Sequence, residues 1–310
     1  MLDIQNLSIS FQRNRASFQR ETLSVVSDVS FSVQAGEIVA LIGASGAGKS
    51  LVAHALLGLL PANATMTGEF IYKGKQISPN GMKALRGREI ALIPQSVTHL
   101  NPLMRVGKQV YRSARLSGRC TSTAREICDQ TFSRYQLADT VQSMFPFQIS
   151  GGMARRVLTA TATAGKADLI IADEPTTGLD PEVCEQSLSH LQELASQGKG
   201  VVLITHDLEN GIRIADTLVV LYEGMTVEIT PARALKGNEL IMHPYTRSLW
   251  QALPQNGFVS LGPSSWSAAS NSSGCIFADQ CPQARSSCRQ SAPPLRRINA
   301  KLVRCYHVAG

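Results

Sequence analysis

Gly43-Ala44-Ser45-Gly46-Ala47-Gly48-Lys49-Ser50 is a run of small residues closed by a lysine and a hydroxyl, in the spacing G-x-x-x-x-G-K-S. A loop of this composition can turn its backbone N–H groups inward and cradle phosphate oxygens. A helix opening at Lys49 adds the positive end of its dipole. Lys49 would reach the β- and γ-phosphates of a nucleotide, and the Ser50 hydroxyl would bind Mg²⁺. At average residue usage, a chance match in a chain this long is on the order of one in a hundred. A second constellation follows at Asp173-Glu174, directly after the apolar run 169–172. A strand of that composition buries itself and delivers Asp173 at its end, where the carboxylate can hold Mg²⁺ directly or through water. Glu174, one residue on, can orient or deprotonate an attacking water. An acidic pair at a strand end is ordinarily a solvated loop, but downstream of a phosphate loop the chemical reading is preferred.

Such groups need a scaffold. Leu2, Ile4 and Leu7, then Val29, Phe31 and Val33, alternate as strands do. The polar, Arg-rich residues 12–21 between them read as a loop. Ile38–Ile42 reads as a buried parallel strand. Residues 49–60 read as a helix stopped by Pro61, and residues 70–77 as a hairpin turning at Lys73-Gly74. The pattern is helical over 103–164. From Asp168 onward strand and helix alternate: strands at 169–172, 201–205 and 218–222, helices at 182–196 and 208–215. This rhythm predicts a parallel sheet covered by helices, with the helical middle inserted into it. After Pro254 the composition turns to Ser, Gly, Pro and Asn, which reads as a linker.

Bulk properties narrow the classes. The 310 residues are 44% hydrophobic and 17% charged, ordinary for a globular chain. No run approaches the roughly 18–20 apolar residues of a membrane-spanning helix. Met1-Leu2-Asp3-Ile4-Gln5 lacks the basic segment and apolar core of a signal peptide. The expectation is a cytosolic chain that reaches a membrane only by docking on other subunits. The net charge is +7, but the positive residues are scattered (Arg13, Arg15, Arg20; Arg86, Arg88; Arg155, Arg156; Arg296, Arg297), without a basic block. Nucleic acid is therefore not expected as a partner. Of seven cysteines, Cys120, Cys128 and Cys184 are dispersed and read as reduced, buried or inert thiols. Cys275, Cys281, Cys288 and Cys305 are spaced C-x₅-C-x₆-C-x₁₆-C. Four thiolates suit one zinc or one iron–sulfur cluster. Neither short gap is the tight pair common at zinc sites, and free thiols or disulfides stay open. The tail has too few apolar residues for its own core, so a metal would staple it.

Ile149-Ser150-Gly151-Gly152-Met153 resembles the signature motif, usually Leu-Ser-Gly-Gly-Gln, of the ATP-binding cassette (ABC) proteins. The resemblance spans about residues 1–250. The motif is again an anion site, with a hydroxyl at Ser150, open backbone at Gly151 and Gly152, and a helix start. In the family it faces the γ-phosphate of ATP held by a partner subunit. Gln95, in Ala91-Leu92-Ile93-Pro94-Gln95, matches the glutamine that senses Mg²⁺ and the attacking water. Gly178-Leu179-Asp180 matches the D-loop, and His206 the switch histidine that contacts the γ-phosphate. Phe11 stands where the family stacks an aromatic on adenine, with Phe18 as a competitor. The resemblance implies an α/β P-loop NTPase core with a parallel sheet, an N-terminal antiparallel β-subdomain, and an inserted α-helical subdomain over about 96–165. It also implies ATP and Mg²⁺ as cofactors, with Mg²⁺ held through Ser50, Gln95 and Asp173, and Glu174 and His206 as catalytic residues.

A narrower resemblance is to the oligopeptide/dipeptide/nickel branch of ABC importers. It rests on Leu100-Asn101-Pro102-Leu103, Met153, His243-Pro244-Tyr245-Thr246-Arg247, and the tail Gly274-Cys275…Cys281-Pro282…Cys288…Cys305. It implies an ATPase domain over 1–250 and a C-terminal extension with four cysteines over 251–310. Met153 is typical of one of two non-identical ATPases, so a heterodimer is expected. The other implied partners are two transmembrane permeases and an extracytoplasmic substrate-binding protein, with this chain peripheral on the cytoplasmic face of the inner membrane. Cargo would be a peptide, nickel or a metal chelate. Some relatives carry a [4Fe–4S] cluster on this tail, which favours that group at the four cysteines. The departures are Ile149 for Leu and Arg155 where the family usually carries Gln; neither removes an anion donor. A soluble ABC protein acting on ribosomes or DNA would carry two cassettes or a long coiled-coil insert, and a P-loop kinase or GTPase would lack Ser150–Met153.

Overall fold

Alternation of apolar residues along the opening strands, reset by irregularities at Asn6 and Asp28 (both φ 54°), turns Leu2, Ile4, Leu7 and Ile9 inward with Val26, Val29, Phe31 and Val33, all buried. These strands are β1 (Leu2–Asn14) and β2 (Arg20–Val33). The computed structural model describes residues 1–14, 20–236, 243–257 and 273–308. Phe18 and most of the linker after Pro254 lie outside the described residues. The elements continue as β3 (Ile38–Ile42), α1 (Lys49–Leu56), β4 (Ala64–Tyr72), β5 (Lys75–Gln76), α2 (Pro79–Leu85) and β6 (Ile90–Ile93). Helices α3 (Val106–Leu116), α4 (Thr121–Arg134) and α5 (Gly151–Thr163) follow. Then come β7 (Leu169–Asp173), α6 (Pro181–Ser196), β8 (Gly200–Thr205), α7 (Leu208–Ile214), β9 (Thr217–Tyr222), β10 (Met225–Pro231) and α8 (Arg233–Lys236). The chain closes with α9 (Pro244–Gln251), α10 (Ser286–Gln290), β11 (Arg296–Ile298) and β12 (Lys301–Val303).

Two sheets result. The first is antiparallel in the order β2-β1-β4-β5; the second runs β11-β12-β10-β9-β3-β8-β7-β6. Its β9-β3-β8-β7-β6 portion is parallel. Strands β3, β7 and β8 are buried along their whole length, which is why they read as unbroken apolar runs. Helices α3, α4 and α5 form the insertion around their own core, including Val106, Val110, Phe132, Tyr135 and Val157. This is the expected α/β architecture, with its antiparallel sheet and helical subdomain. Among the described residues no helix is long and apolar enough to cross a membrane.

Three local expectations need correction. Residues 12–21 are not a loop throughout: Gln12, Arg13 and Asn14 pair with Thr22, Glu21 and Arg20 in a continuing hairpin. Backbone pairing does not need apolar side chains where a strand faces water, so composition alone misreads such an edge. Helix α1 ends at Leu56 because Gly58 takes φ 60° and turns the chain. Cys120 is exposed rather than buried, and hydrogen bonds from Ser122 and Thr123 bring its thiol down to about 7. The hairpin at Lys73-Gly74 forms as expected, with both residues at positive φ (49° and 75°), the signature of a type I′ turn.

The C-terminal segment borrows its core from β9, β10 and α9. Strand β12 pairs antiparallel with β10, and Phe277 packs on Val220, Tyr222 and Tyr245. The buried Arg304 donates to Thr226 O at 2.8 Å and to Asp28 Oδ2 at 2.6 Å, which ties the tail to both sheets. His243 belongs to the same seam and is 2% exposed. Its Nδ1 accepts the Tyr245 N–H at 3.1 Å, and its own N–H donates to Glu228 Oε2 at 3.0 Å. Burial pushes the His243 ring from 6.5 down to about 4; a hydrogen bond to the Arg304 backbone opposes this and the Arg304 charge adds to it. A folded-state value below the unfolded one gives stability that is present above pH 6.5 and lost as pH falls toward 4. The expected loss near pH 4.5 is roughly 2–3 kcal/mol relative to His243→Asn, measured by denaturant unfolding. Identical pH dependence in both proteins would contradict this.

Candidate active site

Strands β3, β8, β7 and β6 are neighbours in that order and run parallel. The residues singled out in the sequence follow their C-terminal ends: Gly43–Ser50 after β3, His206 after β8, Asp173-Glu174 at β7 and Gln95 after β6. The sheet thus gathers segments far apart in sequence at one edge, the usual ligand side of a parallel sheet.

The phosphate loop is built tightly. A Cβ at Gly43 would lie 2.4 Å from Leu221 O, so only glycine lets β3 and β9 pass there. Gly46 and Gly48 take φ 86° and 85°. Gly48 caps α1 without a side-chain bond, leaving the first turn of that helix open to an anion. Lys49 folds back on the loop, with Nζ donating to Gly43 O at 2.8 Å and Ala44 O at 3.0 Å. Burial lowers its pKa, while Glu174 and Asp173 oppose that shift. The Ala44 N–H donates to the Tyr245 hydroxyl at 3.3 Å. The His243–Arg247 segment therefore braces the phosphate loop, a contact spanning most of the chain that local patterns do not reveal.

Ser50 Oγ donates to Asp173 Oδ1 at 3.3 Å. Burial raises the Asp173 pKa, countered by the Ser50 hydrogen bond, with Glu174 raising it further. A buried carboxylate beside a hydroxyl, with Lys49 as its nearby cation, fits a divalent ion. Mg²⁺ takes only one or two protein ligands beside water and phosphate. Among the described residues no three His, Cys, Asp or Glu side chains form a metal-holding group, so a cage of protein ligands alone is not present. Glu174 has φ 48°, uncommon for a residue with a side chain. His206 Nδ1 lies 2.9 Å from both of its carboxylate oxygens, and the Thr177 hydroxyl donates to Oε2 at 3.0 Å. The Glu174 side chain is 9% exposed and that of His206 53%.

Ser150 caps α5 by accepting the Met153 N–H at 3.3 Å. Gly151 and Gly152 face open space. This helix start is presented on the insertion, and among the described residues Ser150–Met153 share no hydrogen bond with the phosphate loop. Asp180 caps α6 through the Val183 N–H at 3.0 Å and is exposed. Gln95 is exposed. Phe11 is half-buried on β1 against the first core, opposite Leu23 and Ala64. Cys275, Cys281, Cys288 and Cys305 are free thiols lining one small cavity beside His243 and Phe277. Burial raises Cys275 and Cys281, and Cys288 Sγ lies 3.2 Å from His307 Nε2. They share a cavity without converging as a formed metal site.

A glycine loop, a buried acidic pair and a histidine at one edge of a parallel sheet define a nucleotide-hydrolysing P-loop protein. The ABC transporter family model matches residues 26–177, and that of the oligopeptide/dipeptide transporter C-terminal region matches 227–288. An oligopeptide transport ATP-binding protein of Haemophilus influenzae is 32% identical, covering 99% of this chain and 97% of that one. A dipeptide transport ATP-binding protein of Escherichia coli K12 is 32% identical, covering 99% and 96%. A dimeric ATP-binding cassette solved in a post-hydrolysis state with ADP and Pi aligns with TM-score 0.65 at 24% identity, over 75% of this chain and 99% of that one. An ATP-binding subunit of an ABC transporter aligns with TM-score 0.62 at 26% identity, over 76% and 92%. The chain belongs to the ABC transporter ATP-binding proteins, in their oligopeptide/dipeptide branch. It is an ATPase subunit of that transport class.

Proposed function

We propose that this chain powers uptake of a peptide, hydrolysing ATP as one of two non-identical ATPases beneath two transmembrane permeases and an extracytoplasmic binding protein. The observation that carries the reading is the Glu174 carboxylate, held by His206 and Thr177 one residue from the Asp173–Ser50 pair. The relatives' names, oligopeptide and dipeptide transport, favour a peptide over nickel or a metal chelate.

The phosphate-loop N–H groups and Lys49 bind the phosphates, Lys49 exchanging its loop carbonyls for phosphate oxygens. Ser50 and Asp173, with Gln95, hold Mg²⁺, which neutralises charge on the phosphates when bound. Glu174 orients and deprotonates the water, and His206 steadies that carboxylate and reaches the γ-phosphate. Phe11 stacks on adenine. Ser150–Met153 of each chain closes on the nucleotide of the other, with Asp180 alongside. Closure reaches the permeases through the Gln95 segment and the insertion. There Leu103 and Phe147, 89% and 75% exposed, offer apolar side chains for a permease to cover. The chain is peripheral on the cytoplasmic face. The ATPase domain spans about 1–250, its insertion about 96–165, and the four-cysteine extension 251–310. The four tail thiols, which line one cavity, would be the ligands of a [4Fe–4S] cluster, and they would have to draw together to hold it.

One preparation tests these points. The tagged chain is extracted anaerobically from its native membranes in mild detergent, and its companions are identified by mass spectrometry. Two multi-span permeases and a second ATPase are expected, with iron and sulfide near four each per chain. Ribosomal or DNA-repair companions without membrane proteins would overturn the transport reading. Stoichiometric zinc, or no metal, would overturn the cluster.

A further inference from the structure

Arg155 stands where the family usually carries glutamine, and the structure gives it a distinct task. We propose that Arg155 is a positioning residue that sets Glu174 by clamping the turn behind it, and that it ties this turn to the signature helix α5 of the same chain. The inference rests on the reading of Glu174 as the residue that activates water.

The guanidinium spans the cleft between insertion and core. Its Nη2 donates to Thr177 O at 2.7 Å, and its Nη1 lies 3.4 Å from both Glu174 O and Pro175 O. Three carbonyls of one turn thus converge on one planar fork, a geometry lysine cannot copy and glutamine, with a single amide nitrogen, can copy only in part. Among the described residues no carboxylate pairs with Arg155, so the clamp is not a by-product of an ion pair. The turn needs holding. Glu174 has φ 48°, and the turn's internal bond from the Thr177 N–H to Glu174 O is 3.3 Å long. Thr177 then links clamp to carboxylate: its carbonyl receives Arg155, and its hydroxyl donates to Glu174 Oε2 at 3.0 Å. Displacing Thr177 removes one of the two side chains that, among the described residues, hydrogen-bond the carboxylate; the other is His206.

Arg155 lies on α5 just over one turn beyond its cap, Ser150. A pull on Ser150–Met153 by the partner's nucleotide would therefore reach this chain's Glu174 through a helix and three hydrogen bonds. One ATP site would report on the other.

The test compares Arg155→Ala, Arg155→Gln, Arg155→Lys and Glu174→Gln in the assembled transporter. Arg155→Ala is expected to lower kcat by roughly ten- to a hundredfold, the range for a misplaced catalytic group. Its KM for ATP should stay within about twofold, because the phosphate-loop contacts are untouched. Arg155→Gln should recover part of the rate and Arg155→Lys little. The Hill coefficient for ATP should fall toward one in Arg155→Ala. Wild-type turnover in Arg155→Ala beside an inactive Glu174→Gln would overturn the inference while leaving Glu174 in its role. Loss of ATP binding together with turnover would mark Arg155 as merely structural and overturn it as well. Full activity in Glu174→Gln would take away the reading on which it rests.

Discussion

Glu174→Gln is expected to bind ATP as the parent does and to turn it over roughly 10²–10⁴-fold more slowly, the usual worth of a general base. The amide keeps the shape of the carboxylate, and its oxygen still accepts the Thr177 hydroxyl. What is lost is the capacity to take a proton from water. In the proposed reading the phosphate contacts arise elsewhere, from the loop N–H groups and Lys49, so affinity should hold while kcat falls. Steady-state hydrolysis by the assembled transporter, beside equilibrium nucleotide binding, separates the two quantities. The burial of Glu174 explains why water cannot replace it: its carboxylate is nearly closed off, and among the described residues His206 and Thr177 are the side chains hydrogen-bonded to it.

Lys49→Ala should fail in the opposite manner. Losing one charge-assisted contact to the phosphates is expected to weaken ATP binding about a hundredfold. The Gly43 carbonyl would also lose the Nζ donor, while the Ala44 carbonyl would keep the Ala47 N–H at 3.1 Å. Burial keeps the lysine partly desolvated, which makes it a stronger partner for phosphate than an exposed lysine would be. Isothermal titration of the variant with ATP and Mg²⁺ measures the loss, and affinity within twofold of the parent would contradict the assigned contact. The pair of variants thus separates binding from chemistry at the ends of β3 and β7, the two strands that flank β8.

Much of this arrangement is legible in the sequence because the chemistry is local. The glycines and Lys49 lie within one loop, and Asp173-Glu174 directly ends an apolar run, so spacing alone brings the groups into reach. The buried parallel strands announce themselves as unbroken apolar runs for the same reason. What the sequence conceals is made by distant segments. Nothing near Ala44 signals that Tyr245 will brace it, and nothing near Thr226 or Asp28 signals Arg304. Strands β11 and β12 are three residues each, too short for a periodic pattern, and they form because β10 offers an edge. The β1–β2 hairpin runs past its apolar portion because its polar end needs only backbone partners. Arg155 is visible as a departure from the family's glutamine, but its clamp on residues 174–177 becomes apparent only when α5 is placed against that turn.

The most direct test of the central claim is the fate of nucleotide on Glu174→Gln. The assembled variant transporter is incubated with ATP and Mg²⁺, free nucleotide is removed, and what remains bound is identified. The account predicts retained, intact ATP with the two ATPases held together. ADP and phosphate released at the parent's rate would contradict it.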